Sequence, residues 1–331
     1  MKIFSFNSYK GGACRTTTCY NTLPFLAKAL GATPEEPLIV YDIDLDSMGL
    51  TSIFNNGINV GREKMKYSAT NLFVDDEYNI NRDRLDELGD SVLDSPEYFS
   101  YYKKVGKELG LEEEGSVLFL GADLNASTVT DDSYRSFSQE PPIYNIISRI
   151  KEMEITPKAI VFDCASGVQM TTLVALQHAD CCVMCMRPTY QFRVGTSEYL
   201  IRKIPDEIGK RKTRKSREII LLPTSVAQVN VPDGQPERET EFRMLSNMRN
   251  RAMTLIRRDI INECTKESKI RDLGYTLNTE MVEDRENSVV GIPEIERFKW
   301  EEGLLYNLDD ITEQEAKAKS RYDKLAQIMA R

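Results

Sequence analysis

The chain has 331 residues, 41% of them hydrophobic and 29% charged, which is enough for one large α/β domain or two small ones. Its 43 basic and 52 acidic residues give a net charge of −9, which opposes general attraction to nucleic acid or anionic membranes unless positive charge gathers locally. This composition excludes a disordered chain, and no apolar run of 18 or more residues indicates a membrane span. We also expect no signal peptide before the first strand.

The seven cysteines are an odd number, and four of them lie in or beside apolar runs. This usage is typical of reduced thiols in a cytosolic protein, so we predict a cytoplasmic location. Cys181, Cys182 and Cys185 are close together, but strand alternation points them to different faces, and His178 is not suitably spaced to join them. We therefore interpret them as core thiols rather than metal ligands.

Apolar runs separated by helical stretches dominate the pattern of the chain. Such near-continuous hydrophobic runs are typical of a parallel sheet covered on both faces, so we predict a three-layer α/β/α fold with a mostly parallel, doubly wound sheet. Ligands of such sheets bind at the carboxyl ends of the strands. The predicted strands are 2–7, 38–44, 116–122, 159–165, 181–187 and 218–224.

We predict a single domain over 1–331, with two additions to its core. An acidic segment at about 61–115 is expected to form short helices and loops, and a helical extension occupies about 306–331. The stretch 239–263 has the periodicity of a long amphipathic helix. Its predicted apolar face consists of Phe242, Leu245, Met248, Ala252, Leu255 and Ile256.

The most informative stretch follows the first strand and reads YKGGACRTTT, from Tyr9 to Thr18. A strand, then glycines, then a basic residue and a hydroxyl that open a helix form a geometry that binds phosphates through backbone N–H groups, with the hydroxyl on Mg²⁺. The general P-loop spacing is not met. We expect Cys14 to lie at an αR or β position, where a small side chain is tolerated.

This stretch resembles the deviant Walker A loop, K-G-G-x-G-K-[ST]-[ST], of the ParA and MinD family of ATPases. Arg15 stands in place of the P-loop lysine and Cys14 in place of the glycine before it. The resemblance implies that Lys10 is catalytic and reaches the nucleotide of the other subunit in an ATP-bound dimer. The nucleotide-binding residues that it implies are Lys10, Gly11, Gly12, Ala13, Cys14, Arg15, Thr16 and Thr17, with Thr16 also on Mg²⁺.

The second predicted strand ends in YDIDLDSMGLT, which resembles the family motif DLDPQGN with Gly49 on its glycine. The resemblance implies that Asp46 orients the attacking water and that Asp44 belongs to the magnesium shell. Alternation places Asp42, Asp44 and Asp46 on one side of an extended chain, so a register shifted by one step stays open.

Two further segments resemble family motifs. AIVFDCASG resembles the Walker B segment, which implies a magnesium-linked carboxylate at Asp163 and a backbone N–H of Gly167 near the terminal phosphate. VVGIPEIERFKWEEG resembles the loop that packs a proline near adenine, which makes Ile292 and Pro293 candidates for base contact. Where the family often has an asparagine after the sixth strand, this chain has Thr224 and Ser225.

The resemblance implies an ATP- and Mg²⁺-dependent dimeric switch that partitions or positions DNA or a protein assembly. Arg15 keeps the charge of the lysine but not its shape, because a guanidinium is planar and forked, so we expect binding to survive better than hydrolysis. The alternative is a nucleotide-binding regulatory adaptor with little or no hydrolysis. A metabolic enzyme of the same broad fold, such as a dethiobiotin synthetase relative, is disfavoured because no substrate-pocket motif stands out.

The partners that follow are a homodimer on ATP binding, non-specific DNA, and a protein that stimulates or detects the ATP state. A membrane role is disfavoured because the C-terminal helix has a face suited to packing on the domain. Positive charge also gathers in Arg243, Arg249, Arg251, Arg257 and Arg258, although a solvated loop and helix face would look the same. The candidate DNA-binding residues are Lys210, Arg211, Lys212, Arg214, Lys215 and Arg217.

Overall fold

A computed structural model of the chain describes residues 1–54, 69, 102–122, 156–208, 217–227, 239–266, 269–282, 290–299 and 303–331. Within these ranges, eight strands form one sheet. They are β1 (Lys2–Ser8), β2 (Leu38–Ile43), β3 (Lys103–Lys104), β4 (Val117–Leu120), β5 (Ala159–Cys164), β6 (Cys181–Met186), β7 (Arg217–Pro223) and β8 (Tyr275–Asn278).

The sheet is parallel except at one edge, and its spatial order is β3-β4-β2-β5-β1-β6-β7-β8. Only β3 runs antiparallel to its neighbour, β4. Every residue of β2, β5 and β6 is buried, as expected for strands covered on both faces. The carboxyl ends of β2, β5, β1, β6 and β7 therefore lie side by side at one edge of the sheet.

Helices follow most strands. Two π-helical turns each continue an α-helix without a break: Tyr199–Lys203 follows the helix that ends at Glu198, and Arg257–Ile261 follows the helix that ends at Ile256. Single 3₁₀ turns occupy Glu114–Ser116, Arg297–Lys299 and Leu305–Asn307. The α-helices of the described residues are α1 (Arg15–Leu30), α2 (Gly49–Phe54), α3 (Met170–His178), α4 (Tyr190–Glu198), α5 (Ile204–Ile208), α6 (Glu239–Ile256), α7 (Asn262–Lys266), α8 (Lys269–Asp272) and α9 (Glu313–Ala330).

The two faces of the sheet carry different helices, which gives the predicted three layers. Helices α1 and α9 pack against each other, and Tyr322 of α9 lies close to Cys185 of β6. Cys182 points to the opposite face, where it lies near Tyr199 at the end of α4. Both cysteines are buried, as is Cys181, so the three thiols belong to the core as predicted.

The C-terminal helix α9 is part of this layering. It begins at a capping box, in which the Thr312 hydroxyl accepts from the backbone N–H of Glu315 and the Glu315 carboxylate accepts in return from Thr312 N–H. Tyr322, Leu325 and Ile328 are buried against the domain. None of the described helices is long and apolar enough to span a bilayer.

All six predicted strands are confirmed, but two edge strands were not predicted. β3 lies inside the segment expected to contain only short helices and loops, and it extends the sheet beyond β4. β8 extends the opposite edge beside β7. Most of the acidic segment 61–115 lies outside the described residues.

The predicted apolar face of α6 is wrong at Met248, which is 60% exposed. The buried positions are Met253 and Ile256, followed by Ile260 in the π-helical turn. Met248 precedes Met253 by five residues, and at 100° per residue the two side chains point about 140° apart. Among the positions of α6 whose side chains the structure describes, the buried ones therefore lie toward its C-terminal end, and the predicted positions Phe242 and Leu245 lie outside that description.

Candidate functional site

The loop between β1 and α1 lies at the carboxyl edge of the sheet, where its backbone is unusually accessible. Gly12 has φ +80°, and a Cβ added at Gly11 or Gly12 would meet no atom within 4 Å. The first hydrogen bond of α1 runs from Thr18 N–H to the Cys14 carbonyl at 2.9 Å, so the N–H groups of the first turn have no partner within the helix. Open N–H groups at a helix N-terminus form a cradle for an anion.

Cys14 adopts a left-handed conformation, with φ 53° and ψ 31°, and not the αR or β conformation expected from the sequence. Several contacts compensate for this strain. Its thiol lies 3.1 Å from the hydroxyl of Ser225, its carbonyl accepts from the Thr18 hydroxyl at 2.7 Å, and Thr224 Oγ1 donates to the Ala13 carbonyl at 2.8 Å. The residues that follow β7 therefore hold the end of the loop.

The Arg15 side chain points into the protein, toward two aspartates. It is 7% exposed, and its guanidinium bridges two carboxylates. Nε donates to Asp163 Oδ1 at 2.9 Å, and Nη2 donates to Asp44 Oδ2. Burial alone would lower the pKa of Arg15, but Asp163 and Asp44 together raise it above its ordinary value, so the group is a permanent cation.

The alternating aspartates Asp42, Asp44 and Asp46 have three different environments. Asp42 is fully buried and accepts from the N–H and hydroxyl of Thr51, at 2.8 and 2.7 Å. Burial, with Asp163 nearby, raises the pKa of Asp42 above its ordinary value. Asp44 binds Arg15, whereas Asp46 is at the surface and accepts from Gln169 Nε2 at 2.8 Å. Because β2 ends at Ile43, the chain is not extended through all three aspartates, and their side chains do not lie on one side as predicted.

The predicted metal ligands Thr16, Asp44 and Asp163 lie close together, but the Arg15 side chain lies between them. Asp163 Oδ2 is buried and has no hydrogen-bond partner among the described residues, which leaves one lone-pair site for a cation. The other oxygen and Asp44 Oδ2 are already engaged by Arg15, whose Nη2 is also 3.4 Å from Thr16 Oγ1. As it stands, the cluster holds a guanidinium where a divalent cation would bind.

Lys10 and Tyr9 are held against helix α4. The Lys10 ammonium lies 4.9 Å from the ring centroid of Phe192, a cation–π distance. The Tyr9 ring covers Gly195 so closely that a Cβ there would be 2.0 Å from Tyr9 Cε1. Sequence reasoning missed Phe192 and Gly195, because nothing in the local pattern of α4 indicates that it lies beside the loop.

Gly167 differs from its predicted role. Its N–H donates to the Ser8 carbonyl at 2.9 Å, and its own carbonyl accepts from the Tyr199 hydroxyl at 2.6 Å. The N–H that was expected near a terminal phosphate is therefore used inside the protein. Gly167 has φ +81°, and its role in this structure is to join the turn after β5 to the end of β1.

A pocket of about 300 Å³ opens beside the cradle, on the side of Cys14 and Thr17. The predicted base contacts Ile292 and Pro293 form part of its wall, because Val226 N–H donates to the Ile292 carbonyl at 3.0 Å and ties this segment to the end of β7. Arg187, which follows β6 and was not predicted, lines the same pocket. The remaining lining residues are Thr18, Thr224, Ser225, Glu294, Ile295, Phe298, Lys299 and Tyr322.

A larger groove of about 810 Å³ lies elsewhere, between α4 and α7, and contains none of the loop residues. Its wall mixes acidic and basic side chains with few apolar ones, including Glu198, Arg202, Asp259 and Lys266. An open, charge-balanced groove of this kind lacks the apolar lining typical of small-molecule sites. The candidate site is therefore the smaller pocket with its cradle.

The predicted DNA-binding residues are not supported by the structure where it describes them. Arg217, the first residue of β7, is 8% exposed and donates to the Tyr275 hydroxyl at 3.1 Å, so the prediction for this residue is wrong. It is buried because it belongs to the strand and not to the basic run before it. Lys210, Arg211, Lys212, Arg214 and Lys215 lie outside the described residues.

The chain is similar in structure to Cyanothece McdA in its ATP complex, at 12% identity and a TM-score of 0.53, with 99% of this chain and 96% of that one covered. It is also similar to cobyrinic acid a,c-diamide synthase from Mycobacterium smegmatis with a bound ATP analogue and magnesium, at 12% identity and a TM-score of 0.52, with 98% and 93% covered. The fold is that of the ParA/MinD-type P-loop ATPases.

A ParA family ATPase from Chlorobium tepidum is a more distant match, at 13% identity and a TM-score of 0.47, with 98% of each chain covered. The sequence matches none of the protein-family models and none of the curated proteins with which it was compared. At 12% identity, the two matches with TM-scores above 0.5 establish the fold alone, and the function has to be argued from the site itself.

Proposed function

We propose that this chain binds ATP at the Lys10–Thr17 loop and acts as a dimeric, slowly hydrolysing switch in the partitioning or positioning of DNA or a protein assembly. The observation that carries the proposal is the junction of two features at one sheet edge. An open glycine backbone at the N-terminus of α1 meets a pocket of about 300 Å³, and Cys14 and Thr17 belong to both. A polyphosphate and a base need these two compartments side by side.

The cradle supports phosphate binding through backbone groups and mobile cations. Gly11, Gly12 and Ala13 offer N–H groups next to the first turn of α1, where the helix dipole favours an anion. Lys10 is only half-buried and is held by an aromatic ring rather than a carboxylate. It can therefore move toward a phosphate without leaving a buried acid unpaired.

The pocket supports base binding through its shape and composition. Ile292, Pro293 and Ile295 supply an apolar wall, and all three are buried. Ser225, Thr224 and Glu294 supply polar groups close to it. A concave, partly apolar pocket with a few polar groups is the usual form of a site for a planar base.

Slow hydrolysis is supported by the state of the catalytic candidates. Asp46, proposed to orient the attacking water, is exposed and hydrogen-bonded to Gln169. Arg15 is engaged in buried ion pairs with Asp44 and Asp163. Phosphoryl transfer depends on positioned charge, so a site whose P-loop cation is already paired with two carboxylates is expected to turn over slowly.

Dimerisation is supported by an apolar surface next to Lys10. Val168, Tyr190 and Val194 are 43%, 71% and 44% exposed. They lie on the turn after β5 and on α4, the two segments that contact Tyr9 and Lys10. A second copy that covers this surface would bring its own Lys10 close to the nucleotide, as the resemblance implies.

The alternative, an adaptor that binds nucleotide with little or no hydrolysis, is favoured by the same Arg15 contacts. Titration calorimetry with ATP, together with phosphate release in the presence and absence of DNA, separates the two functions. We expect binding and a slow release that falls in Lys10→Ala and Asp46→Ala. The exposed residues Lys28 and Asp310 provide matched controls, Lys28→Ala and Asp310→Ala, which should keep the wild-type rate.

The switch and the adaptor predict different results in these measurements. Wild-type release no faster than that of Lys10→Ala and Asp46→Ala, with ATP still bound, would replace the switch by the adaptor. Absence of ATP binding at millimolar nucleotide would reject both functions. A sedimentation experiment with and without ATP tests the dimer, which should form only with the nucleotide.

A further inference from the structure

The bridge that Arg15 makes between Asp44 and Asp163 is the most buried charged cluster of the described site. The exposed fractions of the three side chains are 8%, 7% and 0%. Arg15 starts α1, Asp44 follows β2 and Asp163 is near the end of β5, so three separate elements converge on this contact. The cluster is therefore a consequence of the fold and not of one flexible side chain.

Two facts indicate that the bridge persists when the cradle is filled. A guanidinium cannot lose its proton in a protein, so its release would leave a full positive charge to be accommodated elsewhere. Removal of one partner from a buried ion pair is strongly unfavourable, because the remaining charges are desolvated. The cradle offers other cations for a phosphate, namely Lys10 and the exposed Arg187, whose Nη2 lies 4.0 Å from Cys14 Sγ.

Mg²⁺ and this bridge exclude each other. Mg²⁺ requires oxygen ligands at about 2.0–2.1 Å in near-ideal octahedral geometry, and it would have to take the same carboxylate oxygens from the guanidinium. Two cations on Asp44 and Asp163 at once would also repel each other. Asp163 Oδ2 is the only oxygen of the bridge, among the described atoms, without a partner, and one oxygen beside a guanidinium is a poor metal site.

We propose that Arg15 is a fixed counter-ion of Asp44 and Asp163 that replaces the divalent cation, so that the site takes up a nucleoside triphosphate without Mg²⁺. This inference rests on the proposed function, since it concerns the same cradle. It assigns the loop N–H groups, Lys10 and Arg187 to the phosphates. The opposite arrangement, in which Arg15 turns to the phosphates and Mg²⁺ takes its acids, is the outcome that the test must distinguish.

The test measures the dissociation constant of ATP for the wild-type chain by titration calorimetry, once in excess Mg²⁺ and once in excess EDTA. We expect the two values to agree within about threefold. Weakening by tenfold or more in EDTA would overturn the inference and leave nucleotide binding intact. Absence of binding in both buffers would instead reject the proposed function, so the two failures are distinguishable.

The variant Arg15→Lys keeps the positive charge at this position but removes the bridge between the two carboxylates. A lysine is a point charge and cannot span two carboxylates in the way that a planar guanidinium does, so one acid becomes available to a cation. We expect this variant to bind ATP at least about tenfold more tightly in Mg²⁺ than in EDTA. A second measurement uses wild-type protein alone: the rise in melting temperature that ATP causes should be equal in the two buffers, and a rise only with Mg²⁺ would contradict the inference.

Discussion

The two sides of the β1–α1 loop are built in opposite ways. On the inner side, Arg15, Asp44 and Asp163 satisfy one another in a nearly dry cluster. On the outer side, Cys14 and Thr17 border a pocket of about 300 Å³ that opens beside the loop. The inner side is thus part of the folded core, whereas the outer side is available to a ligand. Substitutions at the inner side should change the free energy of unfolding, and substitutions at the outer side should change ligand binding.

The largest effect is expected at the inner side, for Asp163→Asn. It leaves the buried guanidinium with one carboxylate, and we expect the free energy of unfolding to fall by about 3 kcal/mol in urea denaturation. The control is the surface pair of Lys158 and Glu36, whose side chains are 32% and 48% exposed. Glu36→Gln should change the free energy by less than about 0.5 kcal/mol. An equal decrease in the free energy of unfolding in the two variants would show that the buried cluster contributes no more stability than a surface ion pair.

A smaller effect is expected where the two sides meet, at Cys14. Its φ of 53° is open to glycine but strained for other residues, above all β-branched ones. We expect Cys14→Val to unfold with about 2 kcal/mol less free energy than Cys14→Gly. The same pair of substitutions at Cys19, within α1 and fully buried, should favour valine. A preference for valine at Cys14 would mean that the left-handed conformation is not present in solution.

At the outer side, we expect a change in binding without a change in stability. Thr17 is half-buried in the first turn of α1 and lines the pocket, so Thr17→Leu fills part of the space proposed for the base. ATP affinity in calorimetry should fall about tenfold, or 1.4 kcal/mol. The free energy of unfolding should change by less than about 0.5 kcal/mol. Unchanged affinity would place the base somewhere else.

The smallest effect is expected outside both sides, at Asp259. Burial alone would raise the pKa of Asp259, but hydrogen bonds from Arg258 and Arg193 lower it overall. A lowered pKa stabilises the folded chain above the unfolded pKa of about 3.9, and this contribution is lost as the pH falls through the folded value. Asp259→Asn should therefore cost at most about 1 kcal/mol at pH 7 and nothing near pH 2, measured by denaturation at each pH. A loss that persists at pH 2 would point to packing and not to charge.

The sequence predicts the sheet well because buried parallel strands are almost continuously hydrophobic. β3 has two residues and β8 has four, too few for a periodic signal, so both edges were missed. Cys14 and Thr17 of the loop motif line one pocket in the structure together with Ile292 and Pro293, which the resemblance predicts. The position of Ile292 and Pro293 at the same pocket as Cys14 depends on the way β7 ends, which no local pattern encodes.

The orientation of Arg15 could not be predicted, because it depends on acids that are 29 and 148 positions away in the chain. A P-loop comparison assigns the residue at this position to the phosphates, and only the three-dimensional arrangement shows that two carboxylates compete for it. Cys14 was misjudged for a related reason. Positive φ is unfavourable for cysteine on its own, and the contacts of Ser225 with Cys14 and of Thr224 with Ala13 compensate for this cost.

The contact between Tyr9 and Gly195 has a mechanical consequence. With a glycine Cα directly beneath the ring, Tyr9 has no free space in that direction, and close-packed interfaces slide rather than compress. A change in the loop that pushes the Tyr9 ring toward Gly195 must therefore move α4 as well. Tyr190 lies on the same helix and is 71% exposed, so a movement of the loop would change the position of this surface side chain.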